Sequence, residues 1–170
     1  CPTSNMRLGS GIARIKEMMG NGVRVSIGVD GSASNDAGSM LMDIRNAMML
    51  SRLREEECWL TARDVLWLAT RGGASVLGRN DVGELSVGKQ ADLALFSVEG
   101  LEYAGGLSDP VASLVFSVRT SSVNHLIVNG KIQIENSHTT IDEESLASLH
   151  NRIAESMLTK AQDKTGIKFR

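Results

Sequence analysis

The run Val23 to Val29, read as VRVSIGV, is apolar and rich in β-branched residues, follows Gly22 and stops at Asp30-Gly31. A short apolar run bounded by turn residues reads as a strand buried on both faces, here ending at Asp30. Helical spacing flanks it. Before it, Ile12, Ile15, Met18 and Met19 mark a short helix that Asn21-Gly22 stops. After it, the polar loop GSASND offers cap residues, and from Gly38 onward Met40, Leu41, Ile44, Ala47, Met48 and Leu53 recur at helical spacing to about Glu56. Thr61 with Asp64 three residues on forms a capping box for a further helix, whose core side is Val65, Leu66, Leu68 and Ala69 and whose stop is Gly72-Gly73. Helix, strand and helix in alternation exclude a plain bundle or sandwich and predict an α/β unit.

From Val82 the pattern changes. VGELSVGKQADLALFSV has no helical period: turn-rich Ser86 to Lys89 leads into an extended Ala91 to Val98. Val123 to Val128 and Lys131 to Ile134 flank Asn129-Gly130, the preferred central pair of a tight hairpin. The chain then ends in an amphipathic helix from Asp142 to Lys164, capped by Asp142, with Leu146, Leu149, Ile153, Met157 and Ala161 on the face expected to pack on the body. No repeat or low-complexity segment interrupts this order.

Composition narrows the functional classes. With 42% hydrophobic and 22% charged residues the 170-residue chain has enough apolar material for a core. Its 18 basic and 20 acidic residues leave a formal charge of -2, with no global bias toward nucleic acid or an anionic membrane. The longest apolar runs fall far short of the roughly 20 residues that cross a bilayer. Two cysteines, Cys1 and Cys58, are too few for a disulfide framework and suit a reducing cytoplasm. A chain that opens Cys-Pro-Thr-Ser, without Met or a targeting segment, is expected to start inside a larger protein.

Asp30 is the first chemical candidate, because α/β barrels place reactive side chains where a strand meets its following loop. A carboxylate there can ligate a divalent ion and accept a proton. Asp-Gly is equally a common turn pair, so the residues alone leave both readings open. Ser32, Ser34 and Asn35 follow closely, to hydrogen-bond the Asp30 carboxylate or, for Asn35 above all, to cap the next helix. His125, His138 and His150 have neither H-x-H nor H-E-x-x-H spacing and read as structural or exposed. Gly88-Lys89-Gln90-Ala91-Asp92 lacks the spacing of a phosphate loop and reads as a turn into a strand, with Asp92 serving local backbone donors. Met40, Met42, Met48 and Met49 read as adaptable core packing.

CPTSNMRLGSGIA, then VSIGVDGSASND, LTARDVLWLATRGGASVLGR, VGELSVGKQADLALF and VNHLIVNGK together resemble the amidohydrolase superfamily, in its branch of guanine deaminases, 8-oxoguanine deaminases and chlorotriazine hydrolases. The resemblance covers nearly the whole chain. It implies an α/β fold: residues 1–80 as the last part of a (β/α)8 TIM-type barrel, 81–141 as carboxyl-terminal β-sandwich strands, and 142–170 as a final helix. It implies that Asp30 is the metal-site carboxylate at the end of barrel strand eight, which also activates the attacking water. Ser4 and Asn5 would lie in the loop after strand seven, lining the substrate pocket or capping that loop. Cys1 would touch a purine carbonyl or fill space as a small buried hydrophobe. The family's histidine ligands would precede Cys1, so the divalent metal, zinc first and iron as the alternative, belongs to a longer parent protein, and these 170 residues alone are expected to be inactive. The implied reaction is hydrolytic deamination of an aminopurine or aminotriazine, 8-oxoguanine first, with guanine or chlorotriazine chemistry as alternatives. A non-catalytic structural module is the reading from another class. An exposed strand edge invites self-association, so a homo-oligomer is expected, with no nucleic-acid or membrane partner.

Overall fold

The computed structural model describes residues 1–53, 59–117 and 123–168. Its element order is α1 (Pro2–Leu8), α2 (Ile15–Gly20), α3 (Met40–Ser51), α4 (Ala62–Trp67), a π-helical turn (Leu68–Gly72), α5 (Gly73–Val76), β1 (Leu93–Leu95), a 3-10 turn (Leu101–Tyr103), α6 (Pro110–Phe116), β2 (His125–Val128), β3 (Lys131–Glu135), β4 (His138–Thr139) and α7 (Glu143–Thr165).

The core sits among the helices. Leu41, Ile44, Ala47 and Met48 on one face of α3 meet Leu60, Ala62, Val65 and Leu68 from the α4 region, Val115 of α6 and Ile27. Each fully buried side chain of this size contributes about 1.5–3 kcal/mol. Caps fix where the helices start. Ser39 accepts from the Met42 N–H to open α3, and Thr61 and Asp64 form the expected capping box on α4. Asn35, expected as the α3 cap, is four residues too early for that role. Of the four methionines assigned to packing only Met48 is enclosed; Met40, Met42 and Met49 are each 39% exposed. The expected end of α3 near Glu56, and Cys58, lie outside the described residues.

Three local expectations are corrected. Residues 23–29 form no strand, because a strand exists through its ladder and the described residues supply no neighbour there. The segment is held by other means: Ile27 enters the core, the Val23 N–H donates to the Met18 carbonyl, and the Arg24 guanidinium donates to the Ser75 carbonyl at 2.9 Å. Gly72-Gly73 does not stop the helix, which runs on through the π turn into α5. Gly72 is instead a close-approach residue, since a Cβ there would stand 2.8 Å from the Val25 carbonyl oxygen. Finally, α7 has its Asp142 cap but buries no residue; Leu146, Leu149, Ile153 and Met157 are 46–66% exposed. Among the described residues this face is left largely exposed, with Ala161 half-buried.

The sheet is a four-stranded antiparallel meander in the order β1-β2-β3-β4. The Asn129-Gly130 hairpin forms as expected, with φ of 50° and 74° at its two central residues and Val128 opposite Lys131. A bulge between Leu126 and Ile127 shifts the register along it. Asp92 does serve a backbone donor, but across the sheet: it accepts from the Asn129 N–H at 2.6 Å. Of the extended stretch expected over Ala91 to Val98, only Leu93–Leu95 pairs.

Candidate active site

Asp30 follows the 23–29 segment in a left-handed backbone conformation, φ 64°. Asp tolerates that conformation better than most residues, although it still carries a steric cost. Three donors converge on its carboxylate. Oδ2 accepts from the Ser4 hydroxyl at 2.6 Å and the Ser34 hydroxyl at 2.9 Å, and Oδ1 accepts from the Gly31 N–H at 2.8 Å. The Ser4 hydroxyl, then the Gly31 N–H and the Ser34 hydroxyl, hold the Asp30 carboxyl below the usual carboxylate range. The side chain is therefore anionic well below neutral pH. A carboxylate has about four lone-pair directions. Three are used by these donors, which leaves one on Oδ1 of an exposed residue.

Ser4 is not in a loop, as the sequence suggested, but in α1, where it is 3% exposed. The signals for this helix are Pro2 in its first turn and Gly9 just past its end at φ 66°, the usual asymmetry of helix termini. Asn5 is also on α1 but does not join Asp30. It lines a cavity of about 240 Å³ with Cys1, Ile15, Ile27, Leu50 and Leu60 among its walls. Cys1 is exposed rather than buried, with Sγ 3.5 Å from where a Cβ on Gly28 would stand. Of the residues after Asp30, Ser34 supplies a donor, whereas Asn35 turns inward. The Asn35 carboxamide donates to the Val29 carbonyl at 2.8 Å and to Asp43 at 2.7 Å. Asp43 is fully buried in the first turn of α3 and also accepts from the Thr3 N–H at 2.9 Å. Sequence inspection passed over Asp43; an acidic residue in a helix first turn ordinarily signals only a favourable helix dipole.

As a metal ligand the remaining lone pair of Asp30 fits a divalent ion, and hydroxyl donors on a ligating carboxylate are a common supporting arrangement. Among the described residues no group of three or more His, Cys, Asp or Glu stands close enough to hold an ion. His125 opens β2, His138 lies in β4 and His150 in α7, on elements apart from Asp30.

Asp30 is thus an exposed carboxylate in a left-handed turn, with two hydroxyls and a backbone N–H donating to it. The Amidohydrolase family profile matches residues 1–133, and the chain belongs to that family. It is 39% identical over 158 residues to an 8-oxoguanine deaminase of Pseudomonas aeruginosa, a match covering 93% of this chain and 35% of the relative. It is 36% identical over 160 residues to a 5-methylthioadenosine/S-adenosylhomocysteine deaminase of Acetivibrio thermocellus, covering 92% and 37%. Among solved structures it resembles the zinc complex of atrazine chlorohydrolase TrzN from Arthrobacter aurescens, with TM-score 0.81, 35% identity and 88% and 34% coverage. It also resembles a zinc-bound adenosine deaminase from Xanthomonas campestris, with TM-score 0.87, 30% identity and 94% and 37% coverage. The chain spans about a third of the length of the curated relatives it matches.

Proposed function

We propose that this chain is the carboxyl-terminal part of a metal-dependent aminohydrolase that hydrolytically deaminates a purine-like heterocycle, 8-oxoguanine first. The observation that carries the proposal is the Asp30 carboxylate, which is held ionised by Ser4, Ser34 and Gly31 with one lone pair left open. In this reading residues 1–80 are the end of a (β/α)8 barrel, 81–141 strands of a composite sandwich domain and 142–170 a final helix. A divalent ion, zinc by analogy with the relatives solved with zinc, would be held by Asp30 together with ligands outside this chain, and when bound it supplies an acidified water.

Asp30 takes the proton that water gives up as its oxygen adds to the amino-bearing ring carbon. Because its hydrogen-bond donors make it a weak base, it holds that proton loosely and passes it to the departing nitrogen, so that ammonia leaves and the carboxylate is restored. The open Oδ1 lone pair would face the ion, so the proton is taken on Oδ2, where the Ser4 or the Ser34 hydroxyl gives up its hydrogen bond for the exchange.

The relatives add 5-methylthioadenosine and S-adenosylhomocysteine deamination to the chemistries that the sequence suggested. The full-length protein should therefore be assayed against 8-oxoguanine, guanine, 5-methylthioadenosine, S-adenosylhomocysteine and atrazine, reading ammonia and chloride. The expected result is ammonia release with the highest kcat/KM on 8-oxoguanine. Chloride release from atrazine without ammonia from any purine would move the protein to the chlorotriazine reading. Inactivity of the zinc-loaded protein on every substrate would favour a non-catalytic module.

A further inference from the structure

The reaction above makes no use of Asp43, yet its surroundings tie it to Asp30 from two directions. It is 0% exposed, and a carboxylate in such a place is tolerated only when its oxygens are satisfied. Oδ1 accepts the Thr3 N–H at 2.9 Å. That N–H belongs to the first turn of α1, where backbone donors have no partner within their own helix, and the Cys1 side chain does not cap them. Asp43 therefore caps α1 from another helix. Oδ2 accepts the Asn35 carboxamide at 2.7 Å, and the same nitrogen donates to the Val29 carbonyl at 2.8 Å, in the peptide group that joins Val29 to Asp30. The bonds close on themselves: from Asp43 to Thr3, along one peptide to Ser4, through the Ser4 hydroxyl to Asp30 at 2.6 Å, back one residue to Val29, and through Asn35 to Asp43.

We infer that Asp43 is a positioning residue for the reacting carboxylate of Asp30, anchoring both the backbone that carries Asp30 and the helix that carries its Ser4 donor. The inference rests on the role proposed for Asp30. Two observations favour positioning over mere cohesion between α1 and α3. Asp30 stands at φ 64°, a conformation that neighbours must hold in place, and the Val29 carbonyl belongs to the peptide group whose orientation about the Asp30 N–Cα bond is that φ. The acceptor must also be a carboxylate: both incoming groups are N–H donors, and an amide in its place would turn its own N–H₂ toward one of them, leaving a buried donor unsatisfied.

The test uses the full-length, zinc-loaded protein and its best substrate, with Asp30→Asn as the reference variant. Asp43→Asn is expected to lower kcat by about tenfold to a hundredfold with KM changed by less than about threefold, and to speed zinc release to a chelator, measured without substrate, by about tenfold. Asn35→Ala leaves the Thr3 cap intact and severs Asp43 from Val29, removing both bonds of the bridging carboxamide. It is expected to move kcat and zinc release in the same directions, and it decides the matter if Asp43→Asn fails to fold. Unchanged kcat and zinc release in Asn35→Ala, with Asp30→Asn inactive, would overturn the positioning role and leave Asp43 as a stability residue. Full turnover in Asp30→Asn would overturn the reading of Asp30 itself and this inference with it.

Discussion

At position 30 the backbone and the side chain have opposite preferences. A φ of 64° suits glycine, whereas the three donors around the side chain favour a carboxylate; on the role proposed for Asp30, the strain is kept where function outweighs stability. Asp30→Gly should therefore be more thermostable than Asp30→Ala by about 2–4 °C in Tm, because only the alanine keeps a Cβ in the left-handed region. Equal melting temperatures would show that the backbone relaxes on losing the carboxylate. Asp30→Asn keeps the shape and loses the proton acceptor, so kcat should fall by about 10²–10⁴-fold with Tm almost unchanged. Ser4→Ala removes the largest of the influences that lower the Asp30 carboxyl. Its titration, followed by carboxyl carbon NMR on the metal-free full-length protein, should move up toward the ordinary aspartate value, and an unmoved titration would mean that Ser4 does not polarise it.

At the scale of elements, what was legible in the sequence was what neighbouring residues determine. Asn129-Gly130 dictates its own turn, Thr61 and Asp64 their own cap, and Asp142 the start of α7, because each acts within a few residues of chain. Asp30 stood out as a candidate through its place after an apolar run and through the family resemblance, with the Asp-Gly turn as the competing reading. Features decided by distant partners were not: among the described residues the 23–29 run has strand composition and no ladder, α7 has an apolar face left largely exposed, and Asp43 acquires its contacts from Thr3 and Asn35 across the fold. Helix α1 was missed because Ser and Asn suggest a loop, although Pro2 and Gly9 bracket a helix correctly. Gly72 belongs to the same class of long-range effects. Gly72→Ala would push a methyl to 2.8 Å from the Val25 carbonyl and should destabilise the protein by about 1–3 kcal/mol, read as a lower denaturant midpoint. Asp142 gives a pH test for α7. The Ser145 N–H and then its hydroxyl hold the carboxyl below its ordinary value, so its support for the helix is complete above the ordinary carboxylate range and is lost as pH falls through the lower folded value. Exchange of the Ser145 amide hydrogen should accelerate over that acidic window in the native chain, and the window should vanish in Asp142→Ala.

For the molecule as a whole, the distribution of ligands is more informative than any single contact. One open lone pair on Asp30 is a weak hold on a divalent ion, because water competes for it and a lone carboxylate gives little advantage over the hydration shell. The described residues bring no second or third His, Cys, Asp or Glu to it, while the zinc-bound neighbours are about three times as long as the part this chain matches. On the proposed function, metal affinity should therefore need ligands beyond these 170 residues. Purified side by side from zinc-supplemented cultures and measured by elemental analysis, the full-length protein should carry close to one zinc per chain and the 170-residue chain well below a tenth of that. In the full-length protein Asp30→Ala should shed its zinc to a chelator faster than wild type. Stoichiometric zinc in the 170-residue chain, unaffected by Asp30→Ala, would mean that the ion is held elsewhere and that Asp30 is only the turn residue its Asp-Gly pair suggests.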